Sequence, residues 1–396
     1  MAAAAWTGIA AQLLSGGRTL HSLFKLPVPI LDTSTCNLSP TSPQAAMLKD
    51  LHLIIMDEAS MIPAHALRAI DLLLRDVMKI DHPFGGKVIV LGGDFRQVLP
   101  VVRHATRAAI VETTLKHSPL WLVVAPLHLV QNMRAREEEK EFAEWLLKVG
   151  NGTLHSEVQG VHDTAIDIPA QYVAERSLIT ELFGGMSAAN VKDYSSRVIL
   201  CPKNAKTLEL NEQVLQLLPG ECRTYASVDS AVCDEEEATN YPLEFLHSLT
   251  PSGMPPHTLN LKVGAVVMLL RNLNIKEGLS NGTRLIVKRI HRNVVDAEIL
   301  LGTHEGKQVL IPRLVLAPSD ADLLFVLRHR QFPLHLTWAM TINKAQGQTF
   351  EKVGIHLEEP VFTHGQLYVA FSRARSFADI RVQITPTSMQ GRHGDV

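Results

Sequence analysis

The 396 residues contain only four cysteines, Cys36, Cys201, Cys222 and Cys233, and no two form a CxxC pair. Neither a disulfide framework nor a cysteine zinc site is indicated, and a reducing compartment fits. No apolar run approaches the roughly 20 residues that span a bilayer, so no membrane partner is expected. The opening MAAAAWTGIAAQLL lacks the basic leader and cleavage pattern of a secretory signal. An excess of one charge is missing too: 38 Lys and Arg stand against 40 Asp and Glu, leaving net −2. The chain as a whole does not announce a nucleic-acid partner, and any basic surface has to be local. The histidines show no HExxH or paired-ligand spacing, so they read as surface or core residues.

What is present reads as globular, with 46% apolar and 20% charged residues and length for two or three domains. LHLIIMDEASMIP (51–63) is an apolar run that stops at Asp57 and Glu58, the pattern of a buried parallel strand. Apolar residues at 66, 67, 70, 73, 74 and 77 predict a helix over Ala64–Met78, and Val88–Leu91 is a second short strand. Strand, helix, strand implies a right-handed crossover and a sheet covered on both faces. EEEKEFAEWLLKV (137–149) predicts an amphipathic helix, and SRVILCPKN (196–204) opens a new α/β unit. The stretch 229–258 reads as a surface loop. Short β-rich runs over 261–317, separated by turns such as NGT and GTHEGK, read as a small inserted barrel.

Two acids at the carboxyl end of a parallel strand lie where open α/β sheets bind ligands. In nucleotide hydrolases the first acid holds Mg²⁺ and the second orients or deprotonates the attacking water. A lone Asp-Glu also serves as a helix start. GGDFRQVLPV (92–101) adds Asp94, Arg96 and Gln97 on the loop after the second strand. A Gln amide there can sense a γ-phosphate or position water, since it both donates and accepts. The letters GGDF also occur in cyclic-dinucleotide synthases, but RQVLPV does not fit that turn. Arg134 precedes a helix, LTWAMTINKAQGQTF (336–350) runs from a strand into a polar turn, and QLYVAFSRARS (366–376) carries Arg373 and Arg375. Each arginine alone could be a surface ion pair. Together, facing the acids across two domains, they would form an ATP site with arginine fingers.

These blocks, in this order, resemble the superfamily-one helicases of the PIF (petite integration frequency) type. WTGIAAQLLSGGRTLHSLFKLP resembles motif Ia, DEAS motif II, GGDFRQVLPV motif III, NMR motif IV, TINKAQGQT motif V and LYVAFSRARS motif VI. LKVGAVVMLLRNLNIKEGLSNGTRL is similar to that family's barrel subdomain, and STCNLSP with HPFGGKVIV resembles helicase domains of Helitron transposons. The resemblance implies an α/β chain with two RecA-like parallel-sheet domains, the first N-terminally incomplete, and a small SH3-like β-barrel in the second. The implied division is 1–135, a helical connector 136–195, a second domain 196–260 and 330–396, and the barrel 261–329. The implied activity is ATP-dependent, 5′ to 3′ unwinding of DNA by translocation on a single strand, in repair, recombination and telomere maintenance. Nucleus or mitochondrion would be the compartment, single-stranded and forked DNA the partner, and a monomer the working form.

Carried over by position, Asp57 would hold Mg²⁺ through water, Glu58 would be the catalytic carboxylate and Gln97 the γ-phosphate sensor. Arg134 and Arg373 would be the fingers and Gly347 would line the nucleotide. Thr7, His21, Lys344 and Thr349 would contact DNA. Asn343 stands where the family usually has His. Arg271, Lys276, Arg284, Lys288, Arg289 and Arg292 offer a local basic surface; the other reading of it is a solvated charged face. The family's phosphate loop, GxxGxGK[ST], is absent: Gly86-Lys87 and Gly306-Lys307 are not followed by Ser or Thr. The expectation is a fragment or decayed copy that binds ATP poorly, with unpaired edges beside the missing strand. Two other readings are a non-catalytic DNA-binding relic of such a motor, and a metal-dependent nuclease, which needs more clustered acids than the sequence offers.

Overall fold

The apolar run that ends at the acid pair is a strand in the computed structural model. That model describes residues 1–102, 105–154, 165–187, 189–232, 241–251, 253–318, 323 and 325–386. Four parallel strands make the first sheet: β1 Ala2–Ala5, β2 Arg18–Thr19, β3 Leu53–Asp57 and β4 Val88–Leu91. Their order is β2-β1-β3-β4, with Ala5 beside Asp57 and Met56 beside Leu91. The helix Ala64–Met78 spans the predicted residues. Its stripe of Leu67, Ile70, Leu74 and Val77 packs on Ile54 and Met56 of the sheet in one core cluster. Each such side chain removed from water contributes about 1.5–3 kcal/mol. Lys79 ends the helix in a left-handed turn. Asp71, buried on the helix, accepts from the Phe84 amide at 2.5 Å and pairs with Arg75 at 2.9 Å, so it closes the crossover into β4. β4 is the sheet's edge. Among the described residues nothing pairs with its outer side, and Val88 and Val90 are exposed. The chain from Leu122 to Met133 exposes further apolar side chains, Leu127, Leu129 and Val130 among them.

The second half opens with β5 Arg197–Cys201. Antiparallel strands then follow: β6 Arg223–Ala226, β7 Val228–Val232, β8 Thr258–Leu261, β9 Val266–Leu269, β10 Arg284–Ile290, β11 Val294–Ile299, β12 Gln308–Pro312, β13 Leu314–Leu316, β14 Val326–Gln331 and β15 Leu334–Leu336. They pair as β12-β11-β10-β9-β15, β13-β14-β7 and β6-β8. Antiparallel pairing thus begins before 261 and continues past 329, because the short runs at 223–232 and 334–336 find partners far away in the chain. Parallel pairing returns with β16 Ala339–Thr341, β17 Lys352–Leu357 and β18 Ile380–Ile384, in the order β16-β5-β17-β18.

The stretch 229–258 is not the surface loop its composition suggests. Most of β7 and a helix, Leu243–Ser248, fall within it, and Asp229 is buried. Residues 233–240, Cys233 among them, lie outside the described residues. The amphipathic helix begins at Lys140 and ends at Asn151, with Gly152 in the left-handed conformation as its stop. Its Phe142 and Leu146 pack into the core of the second parallel sheet.

Two tight contacts join the first sheet's elements to the rest. Gln12, on the helix Gly8–Leu13, donates to Ser280 Oγ at 2.6 Å and Thr283 Oγ1 at 2.5 Å on the turn before β10. A Cβ on Gly8 would come within 2.4 Å of the Asn281 carbonyl, so only glycine allows this approach. The second contact carries the candidate site.

Candidate nucleotide site between two parallel sheets

β3 delivers Asp57 as its last residue, and the chain then turns sharply: Glu58 has φ +53 and ψ +45. Non-glycine residues rarely adopt this conformation, and it costs about 1–2 kcal/mol. The turn is held by the Ala59 amide donating to the Gly92 carbonyl at 2.8 Å. Gly93 has no Cβ to strike the Ala59 nitrogen, which one would approach to 2.8 Å. Glycines after β4 therefore let the two strand ends close on each other, and Glu58 is pushed inward.

Glu58 is buried. Gln346, from the turn after β16, donates its amide to Glu58 Oε2 at 2.5 Å. A Cβ on Gly347 would stand 3.3 Å from Glu58 Oε1. Burial raises the Glu58 carboxyl above its usual range, with Asp57 adding to the rise. The Gln346 bond and the charges of Arg373 and Arg134 oppose it.

Arg373 is fully buried. Its Nε donates to the Val369 carbonyl at 2.9 Å, Nη1 to the Gln348 and Ala345 carbonyls at 3.0 and 3.4 Å, and Nη2 to Ser372 Oγ at 2.8 Å. Those bonds occupy four of the five N–H groups of a guanidinium, leaving one on Nη2. Burial pushes Arg373 down to about 9, Arg134 adds to the fall, and Glu58 opposes it. Arg134 donates to the Ser372 carbonyl at 3.3 Å. Burial lowers it too, against the fields of Tyr368, Glu58 and Asp94. Arg134 and Arg373 thus lie in the field of Glu58 and Asp94 without forming an ion pair with Glu58 among the described residues.

The loop after β4 meets the helix Gln366–Phe371. Tyr368 donates its hydroxyl to Asp94 Oδ2 at 2.9 Å, and Arg96 holds Asp94 Oδ1 at 2.8 Å. Burial would raise Asp94, but the hydrogen bonds from the Arg96 side chain and amide and from Tyr368 outweigh it and lower the carboxyl. Gly365, at φ +74, seats this loop: a Cβ there would lie 2.5 Å from the Arg96 carbonyl oxygen. Gln97 sits at the loop's end, its Oε1 buried without a hydrogen-bond partner among the described residues.

The positions carried over from the helicase motifs divide into two groups. Asp57, Glu58, Gln97, Arg134, Arg373 and Gly347 gather around the crevice. The second group is the four assigned to DNA. Thr7 caps the helix Gly8–Leu13, its Oγ1 accepting from the Ala10 amide at 3.2 Å. His21 packs on the Trp6 ring with centroids 4.6 Å apart, and burial lowers its pKa. Lys344 is half-buried in the turn that carries Gln346, and burial lowers it as well. Thr349 is half-buried near that turn's end. The basic surface is smaller than the sequence suggests. Arg284 is buried, donates to the Ser195 carbonyl at 2.9 Å and is pushed down to about 10 by burial. Lys288 is paired with Glu298 at 2.9 Å, and Arg271 donates to the Ala317 carbonyl. Lys276, Arg289 and Arg292 are exposed. Sequence reasoning missed Tyr368 and the bridging role of Gln346; the paired glutamines of QGQ were the visible signal for the latter.

A family profile described as PIF1-like helicase matches residues 1–160, and one described as DNA helicase Pif1, 2B domain, matches residues 244–290. The human ATP-dependent DNA helicase PIF1 is 29% identical over 386 residues, covering 96% of this chain and 53% of the human protein. The chain spans about half the length of the vertebrate relatives it matches. A Bacteroides Pif1 solved with ADP-AlF3 and single-stranded DNA superposes with TM-score 0.68 at 27% identity, covering 98% of this chain and 84% of that one. A structure described as showing unwinding at forked double-stranded DNA by two coordinating Pif1 helicases gives TM-score 0.69 at 28% identity, covering 96% and 81%.

Proposed function

Because the chain belongs to the PIF1-like helicase family, we propose that its crevice is the ATP site of a DNA-unwinding motor. The observation that carries this reading is the buried Glu58, held by Gln346 from the other sheet and faced by Arg134 and Arg373. The division into a first RecA-like unit over 1–135, a connector, and a second unit split by an inserted barrel belongs to the same proposal.

The residues around Asp57 suit a hard cation. The carboxylate has no hydrogen-bond or ion-pair partner among the described residues, and Gly92 leaves its flank open, since a Cβ would stand 3.2 Å from Oδ1. Asp57 would hold Mg²⁺ through water, and the bound ion would neutralise charge on the phosphates. Glu58 orients and deprotonates the attacking water; its raised pKa makes it a stronger base than an exposed carboxylate. Gln97 contacts the γ-phosphate through its unsatisfied amide oxygen and a bound water, and Gly347 gives the nucleotide room beside Glu58. Arg134 and the remaining N–H of Arg373 meet the negative charge of an entering triphosphate, which links closure of the two sheets to the state of the nucleotide.

Single-stranded and forked DNA, as in the Bacteroides and forked-DNA structures, would be the track, with Thr7, His21, Lys344 and Thr349 as contacts. A monomer acting 5′ to 3′ in repair, recombination or telomere maintenance, in nucleus or mitochondrion, extends the same reading. The test is a DNA-stimulated ATPase assay on this chain joined behind a relative's GxxGxGK[ST] segment, since these 396 residues contain no such loop. Turnover should depend on single-stranded DNA and vanish in Glu58→Gln and Arg373→Ala. Equal turnover in Glu58→Gln would remove Glu58 from the mechanism.

A further inference from the structure

A second polar cluster lies far along the chain from the crevice, where β7 and β14 pair. Asp229 on β7 stands directly opposite His329 on β14. His247 comes from the last turn of the helix Leu243–Ser248, and His257 immediately precedes β8. No sequence spacing announces this group; four separate segments bring it together.

The Asp229 side chain is wholly buried. Its only ion-pair partners among the described residues are histidines. His329 Nδ1 lies 2.6 Å from Oδ1, while His257 Nδ1 and His247 Nε2 lie 3.5 and 3.8 Å from Oδ2. Ser227 Oγ sits 2.7 Å from both Oδ2 and His257 Nδ1. A buried carboxylate with no Lys or Arg in ion-pairing distance among the described residues needs a cation or a full set of hydrogen bonds. The distances to Oδ2 are longer than hydrogen bonds, but they suit ligands around a metal. Two donors about 2.1 Å from one tetrahedral ion stand roughly 3.4 Å apart. The ligand atoms of Asp229, His247 and His257 all lie within 4.8 Å of one another. The two imidazoles stack at 3.8 Å with planes 18° apart, so a rotation of one partly exposed ring out of the stack brings both nitrogens to a common point. They are 32% and 25% exposed, which leaves a route for an ion and a place for water as a further ligand.

We propose that Asp229, His247 and His257 form a binding site for a divalent first-row transition metal, with His329 holding the free carboxylate oxygen in place. The donor set of two imidazoles and one carboxylate suits Zn²⁺, Co²⁺ or Ni²⁺; Mg²⁺ and Ca²⁺ prefer all-oxygen shells. Ser227 gives up its bond to His257 Nδ1 when that nitrogen takes the metal, and keeps its bond to the carboxylate. The ion ties the helix Leu243–Ser248 and the start of β8 to the β7–β14 pair. It adds to the apolar packing of Leu246 with Leu327 and Ala231 that already joins the helix to that strand pair. The site is independent of the nucleotide crevice and does not rest on the helicase reading.

The experiment is Zn²⁺ titration of the metal-stripped chain in competition with a chromophoric chelator. Wild type is compared with His247→Gln, His257→Gln and His329→Gln, and with His52→Gln as a control at an exposed histidine. The control is needed because the chain has 18 histidines. Wild type and the control should bind one tight equivalent. His247→Gln and His257→Gln should lose that equivalent, and His329→Gln should weaken it by about 10- to 100-fold, as loss of an orienting partner does. Co²⁺ added to the wild-type chain should give visible absorption bands that Zn²⁺ abolishes and Mg²⁺ does not, a readout that needs no variant to fold. No tight equivalent in wild type, or the same affinity in His247→Gln and His257→Gln, would overturn the site and leave a hydrogen-bonded cluster without a metal.

Discussion

Gln346 donates to Glu58 at 2.5 Å across a sequence separation of 288 residues. This one bond ties the acid at the end of β3 to the turn after β16, and so couples one parallel sheet to the other. It also places the carboxylate where burial raises its pKa.

Glu58 should destabilise the fold at neutral pH. Its folded pKa is raised, so the folded state binds the proton more tightly than the unfolded chain. That stabilisation is complete below the unfolded value and is lost as pH rises through the folded value. Glu58→Gln should therefore raise Tm at pH 7, with the gain shrinking as pH falls below the ordinary glutamate range. Thermal unfolding across pH 4–8 measures this. A lower Tm at pH 7 would contradict the raised pKa.

Tyr368 and Asp94 clamp the loop after β4 to the helix Gln366–Phe371. Burial and Asp94 push the Tyr368 phenol up to about 12, so it remains a donor throughout the useful range. Tyr368→Phe should cost about 1.5–3 kcal/mol, the worth of a hydrogen bond to a charged group. The lowered pKa of Asp94 contributes stability that is present above the unfolded value and lost as pH falls through the folded one. The variant should thus lose part of the acid limb of the stability curve. Urea unfolding at neutral and acid pH reads both effects.

Gly365→Ala tests whether the same loop needs its close seat. At φ +74, alanine costs about 1–2 kcal/mol, and its Cβ would also strike the Arg96 and Gln97 backbone at about van der Waals-forbidden range, 2.5 Å. Gly152→Ala, at φ +67 with nothing within 4 Å, carries the conformational cost alone. The urea midpoint should fall further for Gly365→Ala. Equal falls would mean the loop moves aside freely.

The outer edge of β4 should promote self-association. Val88 is 59% and Val90 45% exposed, on a strand with one side unpaired among the described residues. Val88→Lys with Val90→Lys should reduce light scattering on concentration, because charge blunts an open strand edge. Unchanged scattering would show that another surface drives association.

Much of the crevice was legible because its parts are local. An apolar run ending in Asp57-Glu58, a Gly-Gly turn before Asp94 and a helix over Ala64–Met78 each declare themselves within a few residues, through strand burial, turn geometry and the 3.6-residue period. The stretch 229–258 misled because its acids, prolines and glycine outweighed a five-residue strand. Arg284 misled for a related reason: a charge in the sequence does not say whether the chain will bury it.

By itself the amino-acid order determined the strands and helices with strong periodicity, the parallel sheets they imply, and the acids and arginines that stand at their ends. Only the tertiary structure decided that Glu58 is buried against Gln346, that Arg373 spends three donors on backbone carbonyls and a fourth on the Ser372 hydroxyl, and that three histidines converge on Asp229. Local pattern sets backbone conformation, whereas burial and charge pairing depend on which distant segments arrive at the same place.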